Sequence, residues 1–184
     1  MNHTFEESLS RSKAASALPF WEETYRKAFP SLVGICRHDP AGFWQHEGID
    51  VSITLENSKQ ILVDEKVRFK NALTGLIYDD IALEIWSDLA RKKPGWIQKP
   101  LRADFIAYAI APLGICYMLP VLQLQQAWKR FGQTWVDWFG TIKARNYGPG
   151  GSWETISVCL PPDDVFWAVE QCFKVSFTPL ASQA

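Results

Sequence analysis

GIDVSITL, residues 48–55, and ILVDEKVR, residues 61–68, decide how this chain folds. Each reads as a strand, because apolar and polar residues alternate along it. The apolar positions are Val51, Ile53 and Leu55 in the first, and Ile61, Val63 and Val67 in the second. Successive strand side chains point to opposite faces, so both odd-numbered sets belong on one buried face of a hairpin. Odd must then pair with odd, which requires a loop of odd length or a bulge. A two-residue turn at Asn57-Ser58 would pair Val51 with Asp64 and scramble both faces. A three-residue loop pairs Asp50 with Asp64 or with Lys66. Glu65 falls on the apolar face and breaks the pattern.

The polar face carries the chemistry. Asp50 opens the first strand, and Asp64 and Lys66 share a face of the second. Two carboxylates and one ammonium are the minimum set for metal-assisted cleavage of a phosphodiester. The acids hold a divalent cation, and the lysine positions a water and steadies developing charge. The plain alternative is a solvated sheet edge, where such charges are common.

At these residues the chain resembles the PD-(D/E)xK, or restriction-endonuclease-like, nuclease superfamily. Asp50 matches the first acid, Asp64 the second and Lys66 the lysine, with Gly-Ile-Asp in place of the more usual Pro-Asp. The likeness is to uncharacterised phage and bacterial members and runs from about Trp21 to Pro162. It follows a helix, Gly48-Ile49-Asp50, the Val63–Arg68 strand, Asp80–Glu84, Ala103–Tyr108, a strand near Ser157 and a final helix. The resemblance implies a single-domain, three-layer α/β core with a mixed central sheet flanked by helices. It implies hydrolysis of nucleic acid, DNA ahead of RNA, with Mg²⁺ or Mn²⁺ as cofactor. Some members have lost catalysis, so the alternative is an inactive nuclease-like fold that binds nucleic acid or a protein partner.

Members of the superfamily often add a carboxylate from the first helix. Trp21, Tyr25, Ala28 and Phe29 form one apolar stripe at helical spacing. Glu22 lies at its edge and is the candidate extra metal ligand, while Glu23 points to solvent. Glu84 is a second candidate, as the only charge in Ile81-Ala82-Leu83-Glu84-Ile85. A carboxylate there needs a metal, water or an ion-pair partner such as Lys66 or Arg68.

The 184 residues are 47% hydrophobic, enough for one domain with a real core. A nuclease-like domain over residues 19–178 is expected, after a flexible segment at 1–18. No run of about 20 apolar residues crosses a membrane, and the N-terminus lacks an apolar signal core. Cys36, Cys116, Cys159 and Cys172 form no Cys-x-x-Cys, which favours a reducing cytoplasm over a disulfide scaffold. His3, His38 and His46 show no zinc spacing. The net charge of −1 weighs against tight nonspecific wrapping of nucleic acid. Local basic groups nonetheless suit a nucleic-acid groove: Arg91, Lys92, Lys93, Lys99 and Arg102 around Gly95-Trp96, then Lys143 and Arg145, with Arg68 a further candidate on the Ile61–Arg68 strand. Solvated helix ends and loops are the alternative.

The remaining pattern gives a helix from about Pro19 to Ala28, a loop region from Phe29 to Glu47, and strands near 49–55, 60–68 and 80–86. A turn is expected at Pro94-Gly95. Asp104–Ala109 and Ile115–Leu119 read as a hairpin around Pro112-Leu113-Gly114. A helix follows from about Pro120 to Phe131, with Trp135, Trp138 and Phe139 as a continuation past Gly132. A mobile glycine loop at 148–151, a strand at 153–160 and a helix N-capped by Asp163 end the chain.

Overall fold

The structure, a computed structural model, describes residues 3–4, 14, 17–39, 42–70, 74–148 and 151–180. Its elements are β1 (His3–Thr4), α1 (Phe20–Ala28), β2 (Leu32–Arg37), α2 (Phe43–His46), β3 (Val51–Leu55), β4 (Gln60–Arg68), β5 (Ile81–Asp88) and β6 (Lys93–Pro94). They continue with β7 (Phe105–Ile110), β8 (Ile115–Pro120), α3 (Val121–Phe139), β9 (Ile142–Gly148), β10 (Gly151–Leu160), α4 (Pro162–Ala168) and β11 (Phe173–Ser176). The chain is mixed α/β. It divides into two compact units, one of residues 1–14, 80–101 and 122–170, the other of 15–79, 102–121 and 171–184. Each unit has its own sheet, where the sequence suggests one central sheet and no boundary. The chain passes back and forth between the units, so no single linker exists to be recognised. The segment expected to be flexible at 1–18 lies mostly outside the described residues, as does the tip of the glycine loop at 149–150. Among the described residues no helix is long and apolar enough to cross a membrane.

The unit containing residues 15–79 is built on a mixed sheet in the order β11-β8-β7-β4-β3-β2. β2, β3 and β4 form an antiparallel meander, and β7 lies parallel beside β4. The β3–β4 hairpin takes the register that the apolar pattern requires: Val51 faces Val63 and Ile53 faces Ile61. Its loop is Glu56-Asn57-Ser58, closed by the Leu55 N–H donating to the Lys59 carbonyl at 2.9 Å. Ser58 takes the left-handed conformation at φ 63°, as the last residue of a three-residue hairpin loop does. Asn57 Oδ1 accepts the Lys59 N–H at 3.0 Å and supports that turn.

The odd face of this hairpin is covered by α1, which lays Phe20, Trp21 and Tyr25 against Val51, Ile53 and Val63. β7 and β8 add Ala107, Ala109 and Met118 to the same core. Burying each large side chain stabilises the unit by roughly 1.5–3 kcal/mol. The β7–β8 hairpin turns through a 3₁₀ segment at Ala111–Leu113, as its Pro-Leu-Gly sequence suggests.

Two elements interrupt the region expected as loop from Phe29 to Glu47. β2 is an edge strand with a bulge between Leu32 and Gly34, so its period is broken and its sequence does not alternate. α2 is only one turn long. β11 is likewise unanticipated; it is four residues long and pairs with β8 at the other sheet edge.

The other unit has the sheet order β1-β9-β10-β5-β6. Ile81 and Leu83 are fully buried with their partners Leu160 and Val158, and Glu84 takes the opposite face as the alternation predicts. α3 runs past Gly132 to Phe139, the continuation that Trp135, Trp138 and Phe139 suggest. A Cβ on Gly132 would come within 2.8 Å of the Trp128 ring, so the glycine lets an indole lie on the helix rather than ending it. β9, in a stretch to which the sequence assigns no element, runs up to the glycine loop and pairs with β10. The turn after β5 falls at Leu89–Lys92, with Lys92 at φ 50°, and Pro94 sits in the edge strand β6. Pro161, not Asp163, caps α4, and Asp163 and Asp164 occupy its first turn. All four cysteines are free thiols.

Candidate functional site

Asp50 is delivered to the sheet by a tight structure. The α2 turn ends at Gly48, whose φ of 73° suits a residue without Cβ. The Ile49 N–H reaches back to the Trp44 carbonyl at 3.0 Å, and the Ile49 side chain is fully buried. Asp50 then enters the ladder: its N–H donates to Val63 O and its carbonyl accepts the His38 N–H, both at 2.9 Å. Extending the β3–β4 register by one pair sets Asp50 opposite Asp64. Asp50 Oδ2 also accepts the Glu65 N–H at 2.6 Å, which fixes its carboxylate against β4.

Asp64 and Lys66 share the face that Asp50 occupies. Asp64 is only 4% exposed, and Lys66 Nζ donates to its Oδ1. Burial pushes the Asp64 carboxyl up to about 6; Lys66 opposes the shift and the like charge of Asp50 adds to it. The Lys66 side chain keeps 32% of its surface in solvent, so the ammonium is accessible.

Glu65, the misfit of the sequence pattern, points to the α1 face and is held there. Tyr25 Oη donates to Oε1 at 2.6 Å, and Arg37 Nη1 donates to both oxygens at 3.0 Å. Burial pushes Glu65 up to about 7, against the lowering effects of Arg37 and Tyr25. Sequence reasoning missed both partners. The signal was the misplaced charge itself, which demands a donor, but Arg37 sits in a stretch that reads as loop.

Glu22 does not join the constellation. It is exposed and pairs with Arg26 one turn along α1 at 2.8 Å. Glu23 pairs with Lys27 at 2.7 Å and accepts the Thr178 N–H. The helix stripe explains the correction: Tyr25, at its centre, reaches β4, and the carboxylate at its edge does not. Glu84 belongs to the other compact unit from Asp50, Asp64 and Lys66.

Arg68 and Arg102 belong to one compact unit, and Arg91, Lys92, Lys93, Lys99, Lys143 and Arg145 to the other. Arg68, at the end of β4, stacks over the Tyr78 ring at 4.9 Å. Arg91 pairs with Asp88 at 3.1 Å, and Lys92 and Lys93 are exposed beside it. Lys99 is half-buried, and its carbonyl accepts Gln125. Arg102 lies in the same unit as Asp50 and pairs with Glu47 at 2.8 Å. Lys143 and Arg145 are exposed on one face of β9, with Arg145 3.6 Å from Glu154. Trp96, expected as an aromatic among the basic residues, is buried.

The donor set of the site is oxygen alone. Asp50 and Asp64 fit a hard cation that retains several waters, such as Mg²⁺ or Mn²⁺, and a cation there would relieve their mutual repulsion. Among the described residues no cluster of three or more His, Cys, Asp and Glu side chains is arranged to hold a metal. Water and substrate oxygens would therefore supply the rest of the shell.

Comparisons with protein-family models, with curated proteins and with solved structures return no match.

Proposed function

We propose that the chain is a metal-dependent nuclease of the PD-(D/E)xK type. The observation that carries this reading is the meeting of Asp50 and Asp64 across β3 and β4, with Lys66 beside them on the same face. The order of helix, Gly-Ile-Asp strand and Asp-Glu-Lys strand in one mixed sheet supports a restriction-endonuclease-like core for this unit. Asp64 adds the signature of a functional group: a buried carboxylate with a second carboxylate set against it.

Asp50 and Asp64 would hold Mg²⁺ or Mn²⁺. The cation, when bound, would polarise the phosphodiester and lower the pKa of its water. The Glu65 N–H holds the Asp50 carboxylate in place for that task. Lys66 orients the attacking water and faces the negative charge that builds on the phosphate. The buried sheet around Asp64 keeps the surroundings poor in water and so strengthens each of these charges. Nucleic acid, DNA before RNA, is the substrate, and the free thiols suit a cytoplasmic setting.

A second reading has its own support. Lys66 and Asp64 already neutralise each other, and Arg91, Arg102 and Arg145 each face an acid. Those pairings suit a catalytically silent fold used for binding nucleic acid or a protein. Two measurements separate the readings: a plasmid-nicking assay with Mg²⁺ or Mn²⁺, and Mn²⁺ titration calorimetry on the wild type and Asp50→Ala. The nuclease cleaves only with metal, and Asp50→Ala loses Mn²⁺ binding. No cleavage of DNA or RNA with any divalent cation retires the enzyme and leaves the binding module.

A further inference from the structure

Beside the acids lies an aromatic group that the proposed chemistry does not use. Phe43 is 62% and Trp44 41% exposed. The His38 imidazole stacks on the Trp44 indole with centroids 5.0 Å apart and planes 26° apart, and Phe43 packs edge-on to Trp44 at 5.7 Å. We propose that Trp44 and His38 form a stacking platform for an unpaired nucleobase next to Asp50 and Asp64, making single-stranded nucleic acid the substrate. This deepens the nuclease reading and rests on its assignment of nucleic acid to the site.

Position is the first argument. The His38 N–H donates to the Asp50 carbonyl, so His38 is one strand spacing, about 5 Å, from Asp50. His38 Nε2 lies 2.7 Å from Ser52 Oγ. Ser52 is two residues from Asp50 on the same strand, so the imidazole is on the face of the acids. Ser52 is itself buried, which fixes the ring that supports the indole.

Rigidity is the second argument. The Trp44 carbonyl accepts the N–H groups of Glu47 at 3.1 Å and Ile49 at 3.0 Å. Glu47 is tied in turn to Arg102, by the ion pair and by the Arg102 N–H donating to the Glu47 carbonyl at 3.3 Å. The exposed rings therefore stand on a pinned support that leads within six residues into Asp50. The hydrogen bonds of the turn are made by backbone groups, so they do not call for rings at 43 and 44.

The chemistry of the neighbouring acids selects the occupant. A nucleotide carries a flat π face within a few bonds of the phosphodiester that the acids would hold through a cation. Stacking on an aromatic ring tolerates any base and needs no cation, so it retains a strand without calling on the acids. A base in a duplex has both faces covered and cannot use the platform.

The test uses a DNA oligonucleotide carrying 2-aminopurine, whose fluorescence falls when the base stacks on an indole. It is titrated with metal-free protein, wild type and Trp44→Gln. The wild type should quench the probe, and Trp44→Gln should bind about tenfold more weakly without quenching, the order expected for one lost stack. Trp44→Phe should keep most of the affinity. Should Trp44→Gln fail to fold, Trp44→Leu fills similar apolar space without a stacking ring and carries the same expectation. Equal quenching by wild type and variant, equal affinity for the matching duplex, or no binding of the single strand overturns the platform. Metal-dependent cleavage of duplex DNA unaffected by Trp44→Gln also overturns it while leaving the nuclease intact. Quenching that depends on Trp44 without any cleavage upholds the platform and removes the enzyme.

Discussion

Asp64 and Glu65 are neighbours on β4, both buried, and the two faces of the strand treat them differently. The Glu65 carboxylate is hydrogen-bonded by two donors, the Tyr25 hydroxyl and the Arg37 guanidinium, and feels Asp50 only as a minor like charge. Asp64 meets one donor, Lys66, and also a second carboxylate, Asp50. Hydrogen-bonded donors are what a fold supplies to an acid it must bury for structure. A like charge placed against a buried acid stabilises nothing in the folded state, and such arrangements mark functional sites. Glu65 belongs to the architecture of the α1 face, and Asp64 is the acid that the proposed function assigns to the other.

The sharpest way to break this comparison is through cleavage. Asp64→Asn and Lys66→Ala should each reduce the rate by about a hundredfold or more, the usual size of losing a charge-stabilising group. Mn²⁺ affinity should separate them. It falls in Asp64→Asn and holds or rises in Lys66→Ala, because removing the ammonium leaves the site more negative. Glu65→Gln should retain cleavage. A Glu65→Gln protein that folds but cannot cleave would erase the distinction between the two faces.

Stability should show the reverse order. Glu65→Ala leaves Arg37 and Tyr25 without their acceptor and should cost about 3 kcal/mol in urea unfolding, the low end for breaking a buried pair because Arg37 is partly exposed. Glu65→Leu combined with Arg37→Met should recover most of that loss, since two apolar groups can replace a structural ion pair. Asp64→Asn should be neutral or stabilising, because it relieves the repulsion from Asp50. A loss in Asp64→Asn equal to that in Glu65→Ala would make both acids structural.

Period-two alternation made most of this hairpin legible. Burying the odd positions of two strands left Asp50 facing Asp64 or Lys66, and the register adopted around the Glu56-Asn57-Ser58 loop selects Asp64. The partners of Glu65 were not legible in the same way. Arg37 comes from an edge strand whose bulge destroys its period, and Tyr25 reads simply as part of an apolar stripe. The failed candidate Glu22 shows how coarse helical phase is: one residue at the edge of a stripe is already in solvent. The split into two units was hidden because its boundaries fall inside runs of ordinary composition, such as Leu101-Arg102 and Val121-Leu122. His38 and Trp44 are too separate in sequence to suggest a stack, and only the β2–β3 pairing brings them together.

The smallest expected effect sharpens the comparison most finely, through pH and magnesium together. Asp64 rises from 3.8 to about 6 and Glu65 from 4.5 to about 7. In each case the folded protein keeps a proton that the unfolded chain has released. Their contribution is fully present below about pH 4 and is lost as pH climbs through 6 and 7, on the order of 3 kcal/mol for each acid. Magnesium should act on only one of the two. Bound between Asp50 and Asp64, it favours ionised Asp64 and restores stability above pH 6, by about 1.4 kcal/mol at ten times its dissociation constant. Below pH 6 the Asp64 proton competes, so the gain fades. Asp64→Asn should abolish the magnesium effect at every pH, while Glu65→Gln should keep it and lose only its own share of the pH slope. Unfolding curves at pH 5, 6, 7 and 8, with and without Mg²⁺, measure both terms. A magnesium gain that survives Asp64→Asn, or that is the same at pH 5 and pH 8, would put the cation somewhere other than between these two carboxylates.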